Sequence, residues 1–530
     1  MSVNIENWDV ENNEFWEKTG KKVAYRNLWT SIPALLLAFS IWIMWGMIIV
    51  QMKKLGFTLG LPHETPEDWN KINQLLWTLP AIAGLSGATM RIPNSFLIAI
   101  GGGRNTIFLT TTMLLVPALG AGLALQSTTT PFYIFAILAA TSGFGGGNFA
   151  SSMSNISFFF PKRIQGTSLG LNAGLGNLGV SVMQFLVPIA ISGGVLLSIT
   201  GNGLPLVEAD GDKAVGTLVF IQNAGWVWVP LLLITIVASF FRMNNLKFAT
   251  PQLGSPVKEF SKISLLIFFG LVGAGVGAYL LNGLNWNMWL VLPIVVILTL
   301  VLMKFLSPGE LKGNLKRQFA IFDNKHNWIM TIIYTMTFGS FIGYASSFPK
   351  LIQDVFGYLP DGSVNPSAPN PMVWAFLGPM VGALIRPLGG WLSDKVNSGS
   401  RVTAWSTIAQ VIAALGVAYF IIQARESTSP ELYWWPFFAL FMILFIATGI
   451  GNGSTFRSIP YIFNKEQAGP VLGWTSAIAA YGAFIIPKVF GQQIAGGHGE
   501  YALYGFAVYY MVCLALNWWY YDRKNAEIKC

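Results

Sequence analysis

Charge is what this sequence has least of. Only 10% of its 530 residues are Asp, Glu, Lys or Arg, against roughly 25% in an ordinary soluble domain. With 53% of the chain hydrophobic, there is too little charge to clothe a water-exposed surface of this size. Cysteine is nearly absent. Cys513 falls in the last apolar run and Cys530 is the final residue, so no disulfide framework is expected. Histidine is as scarce: His63, His326 and His498 read as loop or helix-end positions. No ligand set for haem or a metal is therefore expected at membrane depth, and the chain is expected to be no enzyme and to carry no cofactor. The opening stretch MSVNIENWDVENNEFWEKTG is acidic and polar. It lacks the basic start and small-residue cleavage site of a secretory signal, so a cytoplasmic tail is expected.

What the chain has instead is a succession of long apolar runs, each near the roughly 20 residues a helix needs to cross a bilayer. They predict spans at 29–51, 74–99, 105–126, 132–160, 167–198, 217–241, 262–281, 286–304, 327–353, 371–393, 402–423, 433–462, 468–492 and 502–520. The expectation is an all-α integral membrane protein of about 14 helices. Of the 32 Lys and Arg, 22 fall on one side of this arrangement and five on the other. That asymmetry places both termini in the cytoplasm of a multi-pass protein of the plasma (inner) membrane. It also explains the net charge of +9 without a nucleic-acid partner. The partners expected are lipid and a small solute, and a monomer is expected.

Two segments repeat. FPKRIQGTSLGLNAGLGNLG (160–179) and FNKEQAGPVLGWTSAIAAYG (463–482) share Phe-x-Lys-x-x-x-Gly-x-x-Leu-Gly and a later Gly. GATMRIP (87–93) and GALIRPL (382–388) share Gly-Ala-x-x-Arg in the second span of each half. Because each pair runs in the same direction, the halves are parallel repeats, as in transporters of the major facilitator type. This gives an N-terminal tail (1–28), a six-helix half (29–242), a central segment with two extra helices (243–326), a second six-helix half (327–520) and a tail (521–530). The inserted pair reads as a lipid-facing hairpin that spaces the halves.

An arginine near a helix centre costs on the order of 2.5–3.5 kcal/mol on insertion scales and is usually kept for function. Arg91 and Arg386 each lie seven or eight residues inside a predicted boundary, roughly 10–12 Å deep at helical rise. The sequence offers no carboxylate at that depth, so these arginines either bond backbone carbonyls and hold helices together or take an anion from outside the chain as their partner. A guanidinium is planar with paired donors, which suits a small planar oxyanion. Lys350 and Arg457 lie near span ends, where snorkelling is expected, and Lys488 is intermediate.

Around the arginines, GFGGGNFASSMSNISFFFP (143–161), GIGNGSTFRSIPYIF (449–463) and Gly170, Gly174, Gly176 and Gly179 put small residues on membrane helices, a packing signal in the first instance. Asn177 is an amide able to donate to an anion. Tyr334 and Phe338, four residues apart, share a helix face.

Taken together, these stretches make the chain resemble a nitrate/nitrite porter of the major facilitator superfamily. The resemblance rests on GFGGGNFASSMSNISFFFP, NAGLGNLGVSVMQ, SAIAAYGAFIIPKVFG, the two Gly-Ala-x-x-Arg segments and FWEKTGKKVAYRNLW. It implies nitrate and nitrite as substrates, held between Arg91 and Arg386, with Asn177, Tyr334, Phe149 and Phe338 at the substrate and Ala173, Ala479 and Gly176 lining the cavity. The family usually has twelve helices, so the central pair is extra. Ala173 and Ala479 stand where close relatives can carry glycine. Since the sequence has no titratable Asp, Glu or His at membrane depth, nitrate-in, nitrite-out antiport is the expected mode. Proton-coupled nitrate symport and an anion channel are the alternatives.

Overall fold

The computed structural model describes residues 4–192, 201–208, 213–361, 363 and 365–530. The end of the predicted span 167–198, from 193 onward, lies outside the described residues. Along the chain, the helices that shape the functional region are α1 (Lys21–Ile43), α2 (Pro66–Asn94), α3 (Phe132–Phe159), α4 (Gln165–Asn177), α5 (Pro256–Ala278), α6 (Met288–Leu306), α7 (Gly309–Gln318), α8 (Lys325–Tyr334), α9 (Ser340–Phe356), α10 (Leu377–Leu384), α11 (Arg386–Val396), α12 (Gly399–Glu426), α13 (Trp434–Ile462) and α14 (Lys465–Ala480). Among the described residues, eleven helices are long and apolar enough to cross a membrane. The predicted spans 74–99 and 132–160 fall on α2 and α3, and 371–393 falls on a helix broken at Ala375–Phe376 and again at Ile385. Strand pairing among the described residues is confined to two short pairs, Asn4–Ile5 with Asn245–Leu246 and Leu204–Pro205 with Leu218–Val219. The protein is therefore an all-α membrane protein.

Contacts divide the chain into two compact units. Unit 1 comprises Met1–Trp8, Tyr25–Ser152 and Gly179–Gln318; unit 2 comprises Asp9–Ala24, Met153–Leu178 and Phe319–Cys530.

In unit 1, α2 begins where Thr65 and Asp68 form a reciprocal capping box, with Pro66 at the first helical position, satisfying otherwise orphaned N–H groups. It stops at Asn94, five residues short of the predicted boundary, with Pro93 inside its last turn. Glycines bring its neighbours close. A Cβ on Gly146 of α3 would lie 2.4 Å from Gly87 Cα, and one on Gly87 would lie 2.1 Å from Trp42 Nε1. The inserted pair α5–α6 is also part of unit 1, and it is more than a lipid-facing spacer. On α5, Cβ atoms at Gly270 and Gly277 would meet Met90 and Leu85 of α2 at 2.7 and 3.1 Å. The helix carrying Arg91 thus packs along the insert. Trp289, Leu290, Ile297 and Phe305 of α6 remain exposed, as a lipid-facing side requires.

In unit 2, α8 and α9 are joined by a π-helical turn, Thr335–Gly339, a local widening found often at functional sites. Gly339 meets Gly482 backbone to backbone: a Cβ on Gly482 would lie 2.3 Å from Gly339 O. α10 ends at Leu384 and α11 starts at Arg386, with Pro387 in its first turn. α4 and α13 press on this break. Cβ atoms at Gly174, Gly170 and Gly453 would lie 2.6, 3.0 and 2.3 Å from the carbonyl oxygens of Ala383, Arg386 and Arg386 respectively.

Candidate functional site

In unit 1, Arg91 lies in the last turn of α2 and is fully buried. A cation there complements the negative end of the helix dipole. Its Nε donates to Gly146 O of α3 at 2.7 Å. Its guanidinium carbon lies 4.7 Å from the Phe149 ring centroid, 5.1 Å from Trp42 and 5.7 Å from Phe39. Three π faces thus surround one charge, which they attract without taking a hydrogen bond. Trp42 is itself anchored by donating Nε1 to Ala83 O, 2.7 Å away.

In unit 2, Arg386 is the first residue of α11 and is likewise fully buried. Its guanidinium carbon lies 4.0 Å from the Phe341 centroid and 5.5 Å from Phe338. Nε, Nη1 and Nη2 are buried and, among the described residues, have no hydrogen-bond partner. Tyr334, fully buried, is 5.8 Å from Phe338 and 5.7 Å from Phe456, ring to ring, and its phenol is within electrostatic reach of Arg386. Asn177 donates Nδ2 to Ala173 O at 2.7 Å within α4, while its Oδ1 is buried with no partner among the described residues. An amide NH2 carries two hydrogens, so one donor remains. Ala173, Gly176 and Ala479 are buried too.

Arg91 therefore sits in the last turn of a helix and Arg386 at a helix break beside Pro387, where the sequence suggests helix interiors. Unit 1 brings Phe149 to Arg91, and unit 2 brings Phe338 and Tyr334 to Arg386. Several site residues went unread. Trp42, Phe39 and Phe341 had no contrast to mark them on helices apolar all round. Asn452 of α13 is fully buried and, among the described residues, neither amide atom has a partner. Its signal was available, since the register that pairs Phe160 with Phe463 pairs Phe149 with Asn452.

The remaining embedded cations separate cleanly. Lys350 pairs with Asp354 at 2.9 Å and is exposed, as a snorkelling residue should be. Lys488 is exposed beside Phe484. Arg457 does not snorkel: it is 2% exposed, with its guanidinium carbon 3.6 Å from the Tyr461 ring centroid. The glycines of α11 and α12 explain this by drawing both helices onto α13. A Cβ on Gly389 would lie 2.4 Å from Ile450 O and one on Gly399 2.2 Å from Ser458 Oγ.

A family model described as Major Facilitator Superfamily matches residues 8–183 and 258–487. The chain is similar to the probable nitrate/nitrite antiporter NarK2 of Thermus thermophilus, 36% identical over 99% of this chain and 98% of that protein. It is also similar to the nitrate/nitrite transporter NarU of Escherichia coli (strain K12), 33% identical over 99% and 97% respectively. Among solved structures, the proton:xylose symporter XylE superposes with a TM-score of 0.60 at 12% identity, over 94% of this chain and 96% of that one. The human organic anion transporter MFSD10 superposes with 0.53 at 13%, over 94% and 99%. At such identities these two speak for the fold alone. The fold, the family model and the full-length relatives agree: the chain belongs to the Major Facilitator Superfamily and, within it, to the nitrate/nitrite porters.

Proposed function

We propose that this protein carries nitrate into the cytoplasm in exchange for nitrite by alternating access, as a multi-pass protein of the inner membrane with both termini cytoplasmic. In this reading the anion is held by Arg91 of one unit and Arg386 of the other. Arg386 supports it most directly. Three donor nitrogens, buried against Phe341 and Phe338 with no partner among the described residues, are a costly arrangement for a structural residue and an apt one for a planar anion. Asn177 and Tyr334 would add donors, and the phenylalanines would exclude water.

Exchange follows from charge. An empty site with two arginines carries about +2, and a bound monoanion lowers this to about +1. Moving the empty site through a low-dielectric barrier is then harder than moving the loaded one, which favours anion-for-anion turnover. Proton symport is the second reading, and one observation speaks for it. The buried hydroxyls of Tyr344, Tyr510 and Ser340 form a chain, 2.5 Å and 2.8 Å between oxygens, the kind of path along which a proton can pass. Nitrate uptake into proteoliposomes, with and without internal nitrite and with internal pH recorded, decides. Uptake that needs internal nitrite and moves no protons supports exchange; uptake into nitrite-free vesicles with acidification overturns it in favour of symport.

A further inference from the structure

The repeated Gly-Ala-x-x-Arg leads into unlike chain in the two units. After Arg386 the helix runs on to Val396, so about three turns hold the backbone of that residue. After Arg91 only Ile92, Pro93 and Asn94 remain before α2 ends. The chain then passes through a single helical turn, Ile98–Gly101, before the next helix, Gly103–Met113. Carbonyls at a helix end lack partners within the helix, and helix ends fray. A side chain placed there keeps a fixed aim only if something outside the helix holds it.

The central segment of the chain supplies that hold, all of it within unit 1. Thr250 Oγ1 donates to Ile98 O at 2.7 Å, Asn314 Nδ2 to Ala99 O at 2.9 Å and Gln318 Nε2 to Phe96 O at 3.1 Å. Three carbonyls just past the end of α2 thus accept from side chains at least 152 residues further along. Asn314 and Gln318 lie one turn apart on α7 and share a face with the buried Leu311 and Leu315, while Lys312, Lys316 and Arg317 are exposed. Gln318 Nε2 also donates to Asn314 Oδ1 at 2.9 Å, which uses both hydrogens of its amide and ties the pair together. α5 backs the last turns of α2 itself. A Cβ on Gly270 would lie 2.7 Å from Met90 Sδ and 3.0 Å from Pro93 Cγ, and one on Gly273 3.3 Å from Thr89 Cγ2. The residues on either side of Arg91 therefore rest on α5, while Arg91 Nε bonds to α3 through Gly146 O.

We propose that the insert aims Arg91 at the transported anion, with Thr250, Asn314 and Gln318 as positioning residues that act through the end of α2. The proposal rests on the reading above that Arg91 binds the anion. A guanidinium meets an oxyanion through N–H bonds that lie in its own plane, so its strength as a ligand depends on orientation. Loosening the turn after Arg91 lets that plane wander, which weakens anion binding while the charge and the fold remain. A lipid-facing spacer would have no such effect. Arg386, followed by its own helix, needs no equivalent support, and this difference gives the extra helices a task in unit 1 alone.

The test is nitrate/nitrite counterflow by the full chain in proteoliposomes, with KM for nitrate and the maximal rate both expressed per correctly folded protein. Thr250→Val keeps the shape and removes the hydroxyl; Thr250→Ser keeps the hydroxyl. Asn314→Leu/Gln318→Leu removes the two amides. Loss of binding without loss of turnover raises KM alone, so Thr250→Val should raise it about threefold and the double variant about tenfold, with maximal rates within about twofold of the natural protein. Thr250→Ser should restore the natural KM. A lower melting temperature or yield with unaltered KM in Thr250→Val overturns the proposal, as does a KM that Thr250→Ser leaves equally raised; this pair decides even if the double variant does not fold. Arg91→Lys, measured alongside, separates the two readings. If it is impaired while KM stays natural in Thr250→Val, only the positioning role falls. If Arg91→Lys transports normally, the assignment of Arg91 to the anion falls and the positioning role with it.

Discussion

The guanidinium of Arg386 lies over the ring of Phe341, with 4.0 Å between its carbon and the ring centroid. An aromatic face attracts the cation while leaving its N–H edges, which lie in the guanidinium plane, available to an oxyanion. Lysine at the same place would keep the charge and lose both the stacking and the paired donors. Arg386→Lys and Arg91→Lys should therefore fold but lose nitrate transport roughly 10–100-fold, corresponding to about 1.5–3 kcal/mol for a charge-assisted hydrogen bond. Counterflow in proteoliposomes, normalised to correctly folded protein, measures this. Near-normal rates in both variants would return the arginines to a structural role.

The glycines make opposite predictions according to what faces them. A Cβ on Gly146 would lie 2.4 Å from the Gly87 backbone of α2, whereas one on Gly275 of α5 would meet nothing within 4 Å. Gly146→Ala should destabilise unit 1 by about 1–3 kcal/mol through overpacking. Gly275→Ala should be neutral or stabilise it by up to about 1 kcal/mol through helix propensity. Melting temperatures in one detergent compare them directly, and equal losses would mean that the α2–α3 approach is looser than described.

That comparison also marks what could be read in the sequence. A few charges amid long apolar runs are enough to place the spans, and two Gly-Ala-x-x-Arg segments single out Arg91 and Arg386. Which glycine is indispensable depends on the helix opposite, and Gly146 and Gly275 look alike until that neighbour is known. The end of α2 at Asn94 and the break beside Pro387 leave no mark in hydrophobicity, which runs straight through both, so the arginines read as mid-helix. The packed side of the inserted pair is hidden for a related reason. Apolar side chains that face lipid and those that face α2 have the same composition, and only packing tells them apart.

Where that insert begins, Lys258 Nζ and Glu310 Oε2 are 2.9 Å apart, joining the start of α5 to α7. The hydrogen bond from Lys258, reinforced by its charge, holds the Glu310 carboxyl below its ordinary value of 4.5. A carboxyl with a depressed folded pKa stabilises the fold above its unfolded pKa, and loses that contribution as pH falls through the folded one. The melting-temperature advantage of the natural protein over Glu310→Gln should thus be present at neutral pH and vanish as pH drops through and below 4.5. It should also shrink in high salt, since both side chains are exposed. An advantage that persists into acid would mean the pair is not its source.

Asn452 gives the test that separates stability from function. Its neighbours place it between the π-helical turn and the arginine: a Cβ on Gly451 would lie 2.8 Å from Thr337 Cγ2, and one on Gly453 2.3 Å from Arg386 O. Both amide atoms are buried without a partner among the described residues, a cost of about 1–3 kcal/mol for each polar group so placed. Replacing the amide by an apolar side chain of similar size removes that cost, so Asn452→Leu should raise the melting temperature. If the amide exists to meet the anion beside Arg386, nitrate transport should fall in the same variant, about tenfold for one lost hydrogen bond to a charged group. A rise in stability together with a fall in transport is the expected result. Higher stability with undiminished transport would remove Asn452 from the site. Lower stability would show that its amide already has a structural partner, such as a buried water, and that the orphaned atoms are not orphaned in the membrane.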